Sequence, residues 1–297
     1  MHWPRQLQPG DRAVLVSPAS APVGDQVQQT LSGMQVLREW GLEVTYDPPP
    51  RLGFLACPDA DRLTWVQSAF NDAGPAAVIC TRGGYGTQRI LDELDLSTVT
   101  ARRPAFVGFS DVTPLHTLMN ERGLVTFYGP PVWQLSTSQR SASRLRDALF
   151  STDSVVLSTD EPAVVGGAIV EARVLGGNLT MLASSAGTTS GFHGADAIVF
   201  LEDLKEQPRQ IDRSLTQLRR SGALAGACGF VLGQFIDCGG TPDEPNVQEV
   251  IAERLGDLGV PVVGPFPVGH GDDSDTLPLG AVASLDPTRG ELLFQRP

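Results

Sequence analysis

The chain has 297 residues, 41% hydrophobic and 19% charged, a balance that suits a soluble globular protein of two ordinary domains. Its net charge is −12 and it has no Lys/Arg-rich run, which argues against the basic face that nucleic acid or an anionic membrane surface demands. The 32 Gly and 23 Pro are scattered and read as turns rather than as a low-complexity tail.

Residues 1–6 (MHWPRQ) are followed by no apolar stretch of signal-peptide length. The longest apolar runs, 76–80 and 197–201, are strand-sized and far short of a membrane span. A first strand is expected over 12–17 (RAVLVS), ending at Pro18. A helix over 27–40 follows, with Val27, Leu31, Met34 and Leu37 near helical spacing and Gly41 as a stop. Residues 42–46 read as a second strand, 59–71 as a helix, and 76–81 as a third strand running into Gly83-Gly84-Tyr85-Gly86. The pattern continues with a helix over 87–94, a strand over 104–109, and a helix over 111–122 closed by Gly123. Alternation of this kind predicts an α/β fold, a mostly parallel sheet flanked by helices, with ligands at the carboxyl ends of its strands.

The second half reads differently. A Ser/Thr-rich stretch at 136–143 leads into a helix ending at Phe150, and then short β-like runs dominate, at 154–157, 167–174, 197–201 and 229–233. One clear helix, about 210–220, interrupts them. The expected organisation is an N-terminal α/β domain over 1–150 and a smaller β-rich C-terminal domain over 151–297, the boundary lying between 135 and 165. Cys57, Cys80, Cys228 and Cys238 show neither CxxC spacing nor a disulfide framework, so a reducing cytoplasm is the expected location.

Three places carry chemistry. In Gly108-Phe109-Ser110-Asp111 an apolar strand ends in a serine and a helix begins at once. Such a turn exposes the hydroxyl and places free backbone N–H groups beside it, as a nucleophile needs; the same position also suits a helix N-cap. In Thr81-Arg82-Gly83-Gly84-Tyr85-Gly86-Thr87 the glycines permit close approach to the main chain. With no GxxxxGK[ST] and no completed GxGxxG, this turn suits an oxyanion donor or a carboxylate site, with Arg82 as its cation, or else a plain turn with a surface Arg.

Four histidines are available as a base. His2 is terminal, His193 falls in a turn, and His116 lies on the helix after Ser110, roughly 7 Å along its axis. His270, between Gly269 and Gly271, is the preferred base. Glu202 and Asp203 end the apolar run 197–201; strand alternation sends them to opposite faces, so one of the two could orient the histidine, and pattern does not choose. Tyr128 and Trp133 either line the substrate cleft or pack.

Taken in series, these segments resemble the LD-carboxypeptidases, a serine peptidase family that includes the microcin C self-immunity peptidase. The matching stretches are VSPAS from Val16, TRGGYG from Thr81, GFSDVT from Gly108, FYGP from Phe127, GGNL from Gly176, FLED from Phe200, IDRSLTQL from Ile211, GHG from Gly269 and TLPLG from Thr276. The resemblance implies a triad of Ser110, Glu202 and His270. It also implies oxyanion donors from the backbone N–H groups of Asp111 and of the Gly83-Gly84 turn, with Gly84 as the second donor. Arg82 and Gly83 would contact the substrate, a muropeptide ending in D-Ala, with no cofactor, no metal, and a homodimer as the assembly. The run Asp272-Asp273-Ser274-Asp275 departs from the family pattern, and with no metal-ligating His beside it a cation site there is not expected. The alternatives are a microcin-type immunity peptidase acting on peptidyl-nucleotides and a non-catalytic peptide-binding protein of the same fold.

Overall fold

A computed structural model describes residues 1–71, 74–161 and 163–296. In chain order its elements begin with β1 (Arg12–Val16), α1 (Asp25–Glu39), β2 (Glu43–Thr45), α2 (Asp59–Asn71), β3 (Pro75–Cys80), α3 (Val99–Arg102), β4 (Ala105–Gly108), α4 (Thr113–Glu121), β5 (Thr126–Tyr128) and α5 (Gln139–Phe150). They continue with β6 (Val155–Ser158), β7 (Val170–Asn178), α6 (Leu179–Ser184), β8 (Ala197–Leu204), α7 (Pro208–Arg220), β9 (Gly229–Ile236), α8 (Val247–Leu255), β10 (Val262–Val263), β11 (Leu277–Leu279), β12 (Val282–Asp286) and β13 (Glu291–Phe294). No helix among the described residues is long and apolar enough to cross a membrane. The chain divides into two compact units: Met1–Thr152 with Asp272–Pro278, and Asp153–Gly271 with the residues from Leu279 on.

The first unit is built on a six-stranded sheet ordered β11-β5-β4-β3-β1-β2, in which β1 to β5 pair in parallel. Buried strands of a covered parallel sheet should read as near-continuous apolar runs, as PAAVIC and AFVG do. Alternate residues supply the two faces. Ala13, Leu15, Ala77, Ile79 and Val107 meet Met34 and Leu37 of α1 and Leu145 and Leu149 of α5. Val78, Cys80 and Phe106 meet Val66 and Phe70 of α2 and Leu115 and Met119 of α4. The segment expected as a helix over 87–94 is a 3₁₀ stretch, Thr87–Glu93.

The second unit carries a seven-stranded sheet ordered β10-β9-β8-β7-β12-β13-β6. Its first four strands are parallel; β12, β13 and β6 continue it antiparallel. Three helices cover the parallel part: α6, α7 and α8 bury Leu182, Ile211, Leu215, Leu218, Val250 and Ile251 against Val199, Leu201, Phe230 and Leu232. The unit is rich in strands, as expected, with α6 and α8 added to the one helix read from sequence.

Candidate active site

Ser110 stands immediately past the carboxyl end of β4. Phe109 is still extended, but Ser110 takes φ 61, in the left-handed region where a non-glycine residue costs roughly 1–3 kcal/mol. Named contacts hold it there. Its N–H donates to Tyr128 Oη at 2.8 Å, and its carbonyl accepts from Thr113 Oγ1 at 2.7 Å. Gly108 must be glycine, because a Cβ there would lie 2.6 Å from Val112 Cγ2. The N-cap role is not taken: Phe109 is the cap residue of the 3₁₀ turn Ser110–Val112, Val112 that of α4, and neither helix start has a side-chain cap bond.

Beneath this turn lies a neutral polar network. His116 Nε2 donates to the Gly108 carbonyl at 3.0 Å, which fixes the tautomer and leaves Nδ1 to accept from Thr126 Oγ1 at 2.8 Å. Burial drives the His116 pKa down from 6.5 to about 3, so the ring is uncharged at neutral pH. It is thus close to the serine turn, contrary to the expectation from helix position, yet it serves as a buried brace. Tyr128 is buried to 1% exposure and packs 5.7 Å from the His116 ring, so packing is the role it takes.

The glycine loop after β3 abuts the serine. A Cβ at Gly83 would lie 2.7 Å from Ser110 Cβ and 3.0 Å from its Oγ, so only glycine fits. Gly84 takes φ 116, and a side chain there would collide with Ser20. Asp111, nearly fully buried, accepts the Thr87 N–H at 2.8 Å, tying the serine turn to the end of the loop. The sequence reading missed Arg62, a fully buried guanidinium that donates to the carbonyls of Pro18 and Gly86 and pairs with Asp59. Arg82 is half-buried and donates to Gln26 Oε1 at 2.8 Å and to the Ala21 carbonyl at 3.3 Å.

In the second unit, Glu202 sits within β8 and His270 on the loop after β10. They are 68 positions apart in sequence, and His270 Nδ1 donates to Glu202 Oε2 at 2.6 Å. A carboxylate only accepts, so Nδ1 carries the proton and Nε2 of the neutral ring keeps its lone pair. Glu202 is fully buried and His270 nearly so. Burial lowers the His270 pKa, but the charge of Glu202, its hydrogen bond and the charge of Asp203 outweigh that and leave it above 6.5. The loop fits because Gly269 is at φ 137, where a Cβ would lie 2.8 Å from Glu202 Oε2. Gln234, not singled out by sequence, clamps both sides of His270: its N–H donates to the Val268 carbonyl at 2.9 Å, and its Oε1 accepts from Gly271 N–H at 2.8 Å.

Asp203 is engaged elsewhere, accepting from Thr180 N and Oγ1 at the start of α6. Burial pushes its pKa up. Strand alternation does not fully separate the two acids, since Asn178 Nδ2 reaches both Glu202 Oε1 at 3.2 Å and Asp203 Oδ1 at 2.9 Å. The reason is a register shift between Leu201 and Asp203 where β8 pairs with β9; such a bulge re-aims side chains.

Residues 14–129 match the LD-carboxypeptidase N-terminal domain and residues 171–285 the LD-carboxypeptidase C-terminal domain. The chain belongs to the LD-carboxypeptidase family. The murein tetrapeptide carboxypeptidase of Pseudomonas aeruginosa is 33% identical, over 95% of each chain. The crystal structure of muramoyltetrapeptide carboxypeptidase from Oxalobacter formigenes superposes with a TM-score of 0.82 at 30% identity, covering 95% of this chain and 97% of that one. A structure of MccF with glutamyl sulfamoyl guanosine superposes at 0.87 over 98% of each chain; at 19% identity it shares the fold.

In this LD-carboxypeptidase the acidic run after His270 has structural partners within the first unit. Gln134 donates to the Asp272 carbonyl, Ser138 to the Asp273 carboxylate, and Arg140 to both Asp275 oxygens at 2.8 and 3.0 Å. Among the described residues no group of three His, Cys, Asp or Glu converges as metal ligands. His193 is exposed, whereas His2 forms a bridge to Leu124 rather than fraying.

Proposed function

We propose that this protein is a serine-type LD-carboxypeptidase that releases the terminal D-alanine of murein tetrapeptides, in cytoplasmic recycling of cell-wall material, as a homodimer. The observation that carries the proposal is the 2.6 Å bond from His270 Nδ1 to a fully buried Glu202, which leaves Nε2 as the basic atom. A buried carboxylate on Nδ1 is the arrangement that orients a histidine base and stabilises its imidazolium. His270 takes the Ser110 proton as Oγ attacks the carbonyl of the L,D amide. The backbone N–H groups of Asp111 and Gly84 hold the oxyanion, and His270 returns the proton to the leaving D-alanine nitrogen. Water, activated by the same imidazole, then frees the acyl group from Ser110. Gly83 leaves room for the scissile carbonyl beside Ser110, and Arg82 contacts the terminal carboxylate. The names of the 33% and 30% identical relatives support a murein peptide as substrate.

The test is mass spectrometry of L-Ala-γ-D-Glu-meso-diaminopimelate-D-Ala incubated with wild type and with Ser110→Ala. Wild type should remove one alanine, and the variant should be slower by at least about a thousandfold with an unchanged melting temperature. Comparable turnover by the variant would remove Ser110 from its role. An intact tetrapeptide with wild type would remove the substrate.

A further inference from the structure

In the first unit the loops that follow β1, β2 and β3 leave the same carboxyl edge of the sheet from which Ser110 projects, because these strands are parallel. Two aromatic side chains on these loops are exposed: Phe54 is 64% and Tyr85 54% accessible, and their rings meet edge to face at 5.2 Å. Leu52, 52% accessible, begins the same turn as Phe54. Isolated exposed apolar residues are ordinary, but a paired and fixed set is not.

These rings are held by a rigid frame. Leu52 and Leu55 exchange backbone hydrogen bonds at 3.1 and 2.9 Å, closing the turn that has Phe54 at its tip. Ser20 clips the two loops together, its Oγ donating to the Phe54 carbonyl at 2.5 Å and accepting from Tyr85 N–H at 3.1 Å. Leu55, fully packed, presses on Gly86, where a Cβ would meet Leu55 Cδ2 at 2.5 Å. Rigid, exposed aromatics of this kind offer contact area at little entropic cost.

Two cations flank the pair. Arg51 heads the Phe54 turn, its Nε donating to the Gly53 carbonyl at 3.0 Å, and Arg82 heads the Tyr85 loop. Neither has an acidic partner among the described residues, in a chain with 34 Asp and Glu against 22 Lys and Arg. Burial and then the charge of Arg51 lower the Arg82 pKa. A carboxylate at each would supply the acidic partner it lacks.

We propose that Arg51, Phe54 and Tyr85 form a subsite, next to Arg82, for the non-scissile part of an acidic peptide substrate. The guanidinium of Arg51 takes a carboxylate other than the terminal one, and the aromatic pair takes the aliphatic stem that bears it. This deepens the carboxypeptidase reading and rests on it for the nature of the peptide.

Calorimetric titration in the Ser110→Ala background separates the two ideas, because it reads binding without turnover. The probes are the tetrapeptide, the same peptide with the D-Glu carboxylate amidated, and AMP. Arg51→Gln should weaken the tetrapeptide about tenfold and leave the amidated peptide unchanged. Phe54→Ala with Tyr85→Ala should weaken both peptides by a similar factor; all these side chains are exposed, and melting temperatures report that the fold is retained. Tetrapeptide binding unaltered by Arg51→Gln, or equal losses for the acid and the amide, overturns the carboxylate assignment. AMP bound more tightly than either peptide and lost in Arg51→Gln also overturns it, in favour of a phosphate. Binding of none of the three sinks the subsite. Binding of the tetrapeptide to wild type without release of alanine sinks the carboxypeptidase reading and leaves the subsite standing.

Discussion

Beneath Ser110 the bracing groups are neutral, with the Asp111 carboxylate tying the turn only to the glycine loop, whereas His270 is held by a buried carboxylate and a neutral amide. The serine turn is held by a tyrosine hydroxyl, a threonine and an uncharged imidazole, and by the crowding of Gly83 and Gly108. The histidine is held by a buried carboxylate and by an amide that grips its loop on both sides. A neutral, close-packed frame can keep a backbone in a strained conformation at any ordinary pH, since none of its bonds depends on protonation near neutrality. A carboxylate–imidazole pair instead sets the proton affinity of the ring, so it is tuned by charge. The two halves of the proposed machinery therefore differ in what breaks them: shape in one, charge in the other.

The largest effect should come from Glu202→Gln. We expect kcat/KM to fall by roughly 10²–10⁴-fold. The base must be neutral, so activity rises with pH through the His270 pKa, which lies above 6.5 in the wild type. With the carboxylate gone, burial is opposed only by the charge of Asp203, and that acidic limb should move to lower pH, read from a pH–rate profile. A limb that stays in place would mean that Glu202 does not set the charge of His270.

Tyr128→Phe should be milder. It leaves the Ser110 N–H without its acceptor, at a cost of about 1–3 kcal/mol in stability, measured by urea unfolding. We expect kcat to drop about tenfold through loosening of the turn, with the pH limb unmoved. A shifted limb would blur the distinction between the two regions.

The effect that is smallest at neutral pH concerns His116, and it grows only in acid. Its folded pKa is about 3 against 6.5 for a free ring, so below pH 6.5 the unfolded chain binds a proton that the native state refuses. Stability should fall as pH drops from 6.5 towards 3, this group contributing a slope on the order of 1.4 kcal/mol per pH unit. His116→Gln, which keeps a donor towards Gly108, should flatten that slope; an unchanged slope in acid titrations would show that His116 is not the group responsible.

Much of the fold was readable because its signals are local. Helix α2 has the bounds expected of it, and the apolar runs that form β1, β3, β4 and β8 stand out against polar flanks. Helix α8 carried a usable sign, Asn246 followed three residues later by Glu249, which form a reciprocal capping box. The 3₁₀ stretch Thr87–Glu93 was not separable from an α-helix, because Ile90 and Leu91 suit either spacing and its start is set by the distant Asp111 carboxylate. The two-fold alternation used for Glu202 and Asp203 failed at a bulge, which depends on how β8 pairs with β9 and not on β8 itself.

By itself the sequence determined the alternating layout of the first unit, the strand–serine–helix turn, the glycine loop, and a short set of acids and histidines from which a base could be drawn. These are consequences of periodicity and of backbone freedom, properties that each residue carries with its near neighbours. Residue pattern left Glu202 and Asp203 open, and the family resemblance pointed to Glu202. The tertiary structure shows Glu202 meeting His270, and it alone shows that Tyr128 caps the Ser110 N–H, that Gln234 grips the histidine loop, and that Phe54 stands against Tyr85. Each of those pairings joins residues on different strands or loops, and packing of the elements, which no local pattern encodes, brings them within a few ångströms.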